Sequence, residues 1–256
     1  MGFAEIYDRA RPHPPEALGT ILAQLAGVEQ PALVIDLGCG TGLATRYWAE
    51  RAGRVIGIDS SPDMLHYAQG HSCKKNISYL MGYSYPIGLP AGCADIITVS
   101  QAFHWMEPEG TLAEVARLLR PGGVFAALDF DFPPIFPAWE AEFAYQEYLR
   151  RVDAREKLFG VNERIPSWSK SEHLRRMQGS NYFRFTREFY LHHMEMGNAE
   201  RLVLGALSYG LVQSLLKAGV TEHELGLDTL RAEAEHILGK EPKPWYWSVQ
   251  VRVGVI

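Results

Sequence analysis

The sequence predicts an α/β protein, a doubly wound and mostly parallel sheet of seven strands with helical insertions. Three observations predict it. From residue 32 to 132, short apolar runs alternate with stretches of helical spacing, the rhythm of parallel strands and crossover helices. The first run leads into "VIDLGCGTG" (34–42), a glycine turn of the kind that opens a ligand crevice at the carboxyl ends of such strands. After Pro133 the alternation stops: two long helical stretches flank one late strand, and a final strand follows.

"ALVIDLG" (32–38) is an apolar run stopped by glycine, as a strand buried on both faces should be. "TGLATRYWAERAG" (41–53) places Leu43, Tyr47 and Trp48 on one helical side and ends at Gly53. "RVIGID" (54–59) is the second strand. "SPDMLHYAQGH" (61–71) opens a helix with Ser61 as N-cap and Pro62 at the first helical position. "NISYLMG" (76–82) and "ADIITVSQ" (94–101) are strands three and four. "GTLAEVARLLRPGG" (110–123) reads as an amphipathic helix closed by Pro-Gly-Gly, and "GVFAALDFDF" (123–132) as strand five. Residues 133–180 carry aromatics, arginine and glutamate at helical spacing. "NYFRFTREFYLHH" (181–193) alternates like a strand, 198–219 reads as one long helix, 221–239 as one or two more, and "WYWSVQVRVGVI" (245–256) as the last strand.

Composition narrows the function classes. Hydrophobic residues make up 47% and charged residues 21% of the 256, with a net charge of −5, so bulk charge gives no grip on nucleic acid. The opening "MGFAEIYDRARPHPPE" lacks the apolar core of a signal peptide, and Ile6 stands where a myristoylation site needs Ser or Thr. The sequence has no apolar stretch long enough to span a bilayer, and three scattered cysteines make neither a disulfide framework nor a zinc site. These features are expected of a reduced, cytoplasmic protein that neither enters membranes nor binds nucleic acid.

The glycine turn departs from the dinucleotide fingerprint. G-x-G-x-x-G counted from Gly38 requires a third glycine at 43, where Leu43 stands; the pattern is G-x-G-x-G, with Gly38, Gly40 and Gly42. This argues against a nicotinamide-dependent oxidoreductase. Asp59 ends the next strand about 20 residues on, where a ribose-binding carboxylate belongs. Asp36, two residues before the first glycine, suits an ammonium better than a pyrophosphate. The ligand read from these residues bears a ribose and a positive charge.

With these residues in view, "VIDLGCGTG", "VIGIDSSPDML", "LPAGCADIITVSQAFHWME" and "LLRPGG" resemble the successive motifs of the class I S-adenosylmethionine-dependent methyltransferases, in the branch that includes the ubiquinone/menaquinone and trans-aconitate type enzymes. The opening "YDRARPHPPE" is similar to the start of that branch. The resemblance covers residues 5 to about 131 and, more loosely, "YFRFTREFYLHH" and the final strand. It implies a Rossmann-like sheet with the last strand antiparallel, S-adenosyl-L-methionine as cofactor, and methyl transfer to a small-molecule acceptor by in-line displacement. It implies that the backbone of Gly38, Cys39 and Gly40 holds the methionine part, with Asp36 supporting the loop and the amino group. Asp59 takes the ribose hydroxyls, and Ser60 and Met64 flank the adenine. Family members often carry an aspartate after the glycine of "GYSYP" (82–86); here Tyr83 stands there, which passes the adenine amino contact to Ser84 or a backbone group. Gln101 and the residues to Trp105 lie under the methyl group, and Tyr7 and Arg11 fold over the cofactor, Arg11 pairing with its carboxylate. The resemblance also implies a single domain over 1–256: a cofactor-binding core of 1–131, 181–193 and 245–256, with 133–180 and 197–240 as a helical lid. The same loop would also serve a protein that binds the cofactor without turning it over.

Several residues keep two readings. His104 is either a general base, since histidine titrates near neutrality, or a packed wall of the pocket. Asp129 and Asp131 either face the substrate or cap the chain's departure into the insertion. Trp139, Phe143, Tyr145 and Tyr148 form an aromatic stripe that is either core or pocket lining, and Arg150-Arg151 and Arg175-Arg176 are either solvated or docking points for a carboxylate. His192 and His193 point to opposite faces of a strand and cannot readily share a metal with Glu195. His223-Glu224 lacks the second histidine of a metalloprotease.

Overall fold

The computed structural model describes residues 2–160 and 166–256. In chain order the elements are α1 (Phe3–Ala10), α2 (Glu16–Leu25), β1 (Leu33–Leu37), α3 (Leu43–Ala49), β2 (Arg54–Asp59), α4 (Pro62–Gly70), β3 (Ile77–Met81), β4 (Ala94–Ser100), α5 (Pro108–Leu118), β5 (Leu119–Phe130), α6 (Trp139–Phe159), α7 (His173–Gly179), β6 (Phe185–Gly197), α8 (Ala199–Leu207), α9 (Gly210–Lys217), α10 (Glu222–Leu225), α11 (Leu227–Ile237) and β7 (Lys243–Val255). The seven strands form one sheet in the order β3-β2-β1-β4-β5-β7-β6. Strands β1 to β5 pair in parallel, and β7 runs antiparallel to β5 with Ala126 opposite Val253. The sheet is thus Rossmann-like, as expected. Strand order reverses between β1 and β4, and a crevice opens at the carboxyl ends on either side of such a reversal.

The chain divides into two compact units. One holds His13–Phe130, Ser167–Leu191 and Ser248–Ile256; the other holds Met1–Pro12, Asp131–Pro166 and His192–Trp247. In the first, Ile35, Leu37, Ile56, Ile58, Ile97, Val99, Phe125 and Ala127 form the centre of the core, and α5 adds Leu112, Val115 and Leu118 at helical spacing. In the second, α8 and α11 pack together with α6, burying Leu202, Ala206, Tyr145, Val152, Leu227 and Leu230. Residues 167–180 group with the first unit, where the His173 ring lies 4.6 Å from that of Phe103. Residues 161–165 of the first insertion lie outside the described residues.

The structure corrects four expectations about elements. The helix read over 110–123 begins at Pro108, capped by Glu107, whose side chain accepts from the N–H groups of Glu109 and Gly110, and it ends at Leu118. Pro121-Gly122-Gly123 lies inside β5, at an irregularity where the pairing jumps from Ala94–Leu119 to Ile96–Val124. There the Arg120 guanidinium holds Asp95 at 2.5 Å. The long helix over 198–219 is two, because Tyr209 is extended; the Ser208 hydroxyl, in the last turn of α8, bonds the Gly205 carbonyl (2.6 Å). The late strand starts at Phe185, four residues later than read, after Asn181 adopts a left-handed backbone (φ 59°). Finally, α1 and α2 occupy a region read only for motifs; Leu18, Leu22 and Ala23 mark the buried face of α2.

Candidate active site

The glycine turn is built from backbone that only glycine takes readily. Gly38, Gly40 and Gly42 have φ of 70°, 52° and 83°. At Gly38 a Cβ would lie 2.6 Å from the Ala102 Cβ, and at Gly42 it would strike the Tyr79 ring, whereas nothing stands within 4 Å of a Cβ at Gly40. The turn is therefore packed on two sides and open above its middle residue, where a ligand can rest on bare backbone. Gly38 and Cys39 both donate to the Ile58 carbonyl (2.7 and 3.0 Å), which ties the turn to β2. The Cys39 thiol is buried, and burial beside Asp36 and Asp59 pushes its pKa well up, so it packs and does not react.

The two acids differ. Asp36 is fully buried, accepts from the hydroxyls of Thr45 (2.6 Å) and Thr98 (3.3 Å), and has its pKa pushed by burial to about 6. Both oxygens are used inside the protein, which makes Asp36 a brace under the turn. Asp59 accepts from Gly40 N–H through Oδ2 and from Ser61 N–H through Oδ1, each at 2.8 Å. Each oxygen keeps a further lone pair for a ligand hydroxyl. Beside it, Ser61 caps α4 by accepting from Met64 N–H (3.4 Å), Ser60 is exposed and Met64 half-buried. The Gly82 N–H donates to the Asp59 carbonyl (3.0 Å), bringing the turn 82–86 to the same strand end. There the Ser84 hydroxyl accepts from Thr111 (2.8 Å), and Tyr83 is largely exposed.

Across the switch point, β4 is followed by Gln101, which has φ 57° though it is not glycine. Phe103–Trp105 form a single 3₁₀ turn; Phe103 is buried, His104 half-buried and Trp105 exposed. The His104 ring lies 4.6 Å from that of Trp105, and its carbonyl accepts from Trp168 N–H (2.8 Å). Asp129 does not face outward: it is ion-paired to Arg252 (2.7 Å) and Lys170 (2.9 Å).

The remaining sequence candidates lie in the other unit or on the surface. The Arg11 guanidinium lies over the rings of Tyr7 (4.9 Å), Phe132 and Tyr209 (5.2 Å each) and donates to the Ser208 carbonyl (2.9 Å). The aromatic stripe divides: Tyr145 and Tyr148 are core, whereas Trp139 and Phe143 line a groove of about 300 Å³ between α6 and α11. Arg150 pairs with Glu147 and Arg175 with Glu172, both near the surface. Glu195 pairs with Arg201, and His193 reaches Glu195 at 3.3 Å. Sequence reasoning missed Lys170, Glu188 and Arg252. Arg252 did carry a signal: it is a lone charge inside "VQVRVGV", an otherwise apolar strand.

A reversal of strand order beside a G-x-G-x-G turn, with the acid of the next strand bonded into that turn, is the arrangement implied by the sequence's resemblance to the class I S-adenosylmethionine-dependent methyltransferases. Residues 35–127 match the family described as a methyltransferase domain. An uncharacterized methyltransferase of Mycobacterium bovis is 38% identical over 118 residues, 46% of this chain and 46% of that protein. The malonyl-[acyl-carrier protein] O-methyltransferase of Serratia marcescens is 38% identical over 92 residues, 36% of this chain and 35% of that one. The matches thus span half or less of the curated relatives' length. In fold, the chain is similar to a candidate type II methyltransferase from Anaeromyxobacter dehalogenans, with a TM-score of 0.65 at 22% identity over 96% of this chain and 97% of that one.

Proposed function

We propose that the protein transfers a methyl group from S-adenosylmethionine to a small-molecule acceptor. The observation that carries this reading is Asp59, whose carboxylate is bonded to Gly40 N–H beside an open glycine backbone, with lone pairs left for two hydroxyls. Asp59 would hold the ribose, the backbone of Gly38 to Gly40 the methionine part, and Ser60 and Met64 the adenine faces. Asp36 keeps the turn in shape from below. The bound sulfonium supplies a methyl group already activated for transfer. The protein's task is to align the acceptor, exclude water and accept a proton where one is released. His104 is the group on the rim we assign to that proton. Tyr7 and Arg11 carry their assignment on the resemblance alone, and Arg11→Gln tests it through cofactor affinity.

One relative is named a malonyl-[acyl-carrier protein] O-methyltransferase, which makes carboxylic acids the first class to screen. Titration calorimetry with S-adenosylhomocysteine, and NADH as control, tests the cofactor. Micromolar binding is expected, weakened by roughly 2–4 kcal/mol in Asp59→Ala through loss of hydrogen bonds to a charged group. Binding of NADH with none of the homocysteine compound would overturn the reading. With an active acceptor, His104→Gln is expected to lower kcat by 10²-fold or more while the cofactor affinity holds. An unchanged kcat would make His104 a wall of the pocket.

A further inference from the structure

Within the sheet unit, one short segment grips the rim at three points. The Lys170 ammonium donates to Gln101 Oε1 (2.6 Å), the Trp168 N–H to the His104 carbonyl (2.8 Å), and the His173 ring packs on Phe103 (4.6 Å). The rim they hold starts from Gln101, whose left-handed backbone is unfavourable for a residue with a Cβ and persists only when its surroundings impose it. Two other ties impose it: Gln101 N–H donates to the Leu128 carbonyl (2.8 Å) and Nε2 to the Phe130 carbonyl (2.9 Å). The lysine has its own anchor. Its second donor goes to Asp129 Oδ1 (2.9 Å), whose other oxygen is fixed by Arg252 (2.7 Å), itself buried and held by Glu188 (2.8 Å) and Gln250. Lys170 is 40% exposed while Asp129 and Arg252 are almost wholly covered, so a part-exposed cation stands at the end of a buried ionic chain running from β7 through β5 to the end of β4.

We propose that Lys170 is a positioning residue of the active site: it transmits the fixed position of Asp129 to Gln101, and so holds residues 101–105 and presents His104. This rests on the reading of 101–105 as the reaction rim. An ammonium suits the task because it spans two acceptors on different strands with donors to spare. Without it the Gln101 oxygen loses its donor, and a strained backbone loses one of three restraints.

The test is amide hydrogen exchange, read peptide by peptide on the full chain, for wild type, Lys170→Met and Lys170→Arg, each with and without S-adenosylhomocysteine. Exchange of 101–106 is expected to rise at least tenfold in Lys170→Met and to stay within threefold in Lys170→Arg, with 34–42 and 57–64 unchanged in both. In a Gln101→Gly background, where left-handed backbone is unstrained, adding Lys170→Met should change 101–106 less than twofold. Unchanged exchange in Lys170→Met, a rise equal in Lys170→Arg, or a full tenfold effect in the glycine background would each overturn the proposal. Should Lys170→Met not fold, Gln101→Met puts the same question, and unaltered exchange of 101–106 would likewise overturn it. Absence of any protection of 38–42 by S-adenosylhomocysteine in the wild type would count against the cofactor reading and leave the ligand-free comparison standing.

Discussion

His173 is a neutral imidazole sealed against Phe103, and burial lowers its pKa from 6.5 to about 4. The unfolded chain takes up that proton near pH 6.5 and the folded one does not. The stability this contributes is complete above pH 6.5 and is lost as pH falls towards 4. Urea denaturation of wild type and His173→Phe at pH 7 and pH 4 is expected to show the wild type losing on the order of 2 kcal/mol more than the variant over that range. Arg252, 1% exposed between Asp129 and Glu188, belongs to the same neighbourhood. Arg252→Met leaves two carboxylates short of a cation and is expected to cost about 3–5 kcal/mol in the same assay. Much of the site was legible at this scale: Asp59 and the glycines follow from spacing and from what a bare backbone permits. Lys170 was not legible, because a lysine in a polar connection looks solvated until Asp129 and Gln101 are brought beside it. Asp36 was legible as important, but its brace role depends on Thr45 and Thr98, 9 and 62 residues away.

Among the elements, the glycine turn is the most constrained. Gly42→Ala combines a left-handed backbone with a Cβ driven into Tyr79. It is expected to cost about 2–4 kcal/mol of stability and to weaken S-adenosylhomocysteine binding, whereas Gly88→Ala, in a loop with open space around it, should change neither, as calorimetry and thermal melts would show. Strands β1 to β4 were legible to within a residue or two, because their apolar runs end sharply at Gly, Asp and Ser. The junction of α5 and β5 was not. Pro121-Gly122-Gly123 looks like a helix stop, yet Leu118 is the last helical residue, and the glycines serve an irregular strand pairing fixed by Arg120 and Asp95. The break between α8 and α9 was hidden similarly: the apolar period runs straight through Ser208, and the helix stops at the extended backbone of Tyr209.

At the scale of the molecule, alternation of strand and helix made the sheet legible, and the loss of alternation marked where helices take over. The resemblance implied a core of 1–131, 181–193 and 245–256 beside insertions of 133–180 and 197–240; what was not legible is that the first twelve residues group with α8, through pairs such as Arg9–Glu200, and that 167–180 group with the sheet, since both depend on contacts between segments far apart in sequence. Among the described residues no helix is long and apolar enough to cross a membrane. A ligand that binds only the folded form raises stability by about 2.7 kcal/mol at a hundredfold excess over its Kd. S-adenosylhomocysteine at that excess is therefore expected to raise the melting temperature by about 5–10 °C, an increment absent in Asp59→Ala.

The strand order has a consequence for how the protein is made. β6 lies at the sheet's edge with β7 as its one neighbour, and β7 begins about 45 residues after β6 ends. During vectorial synthesis β6, with Phe185, Tyr190 and Met194 on its open surface, waits without a partner through the translation of four helices, and β5 waits beside the same gap. A pause or truncation between residues 197 and 243 would leave β6 wholly unpaired and one edge of β5 uncovered on the same nascent chain, an interval in which a chaperone would have strand edges to shield.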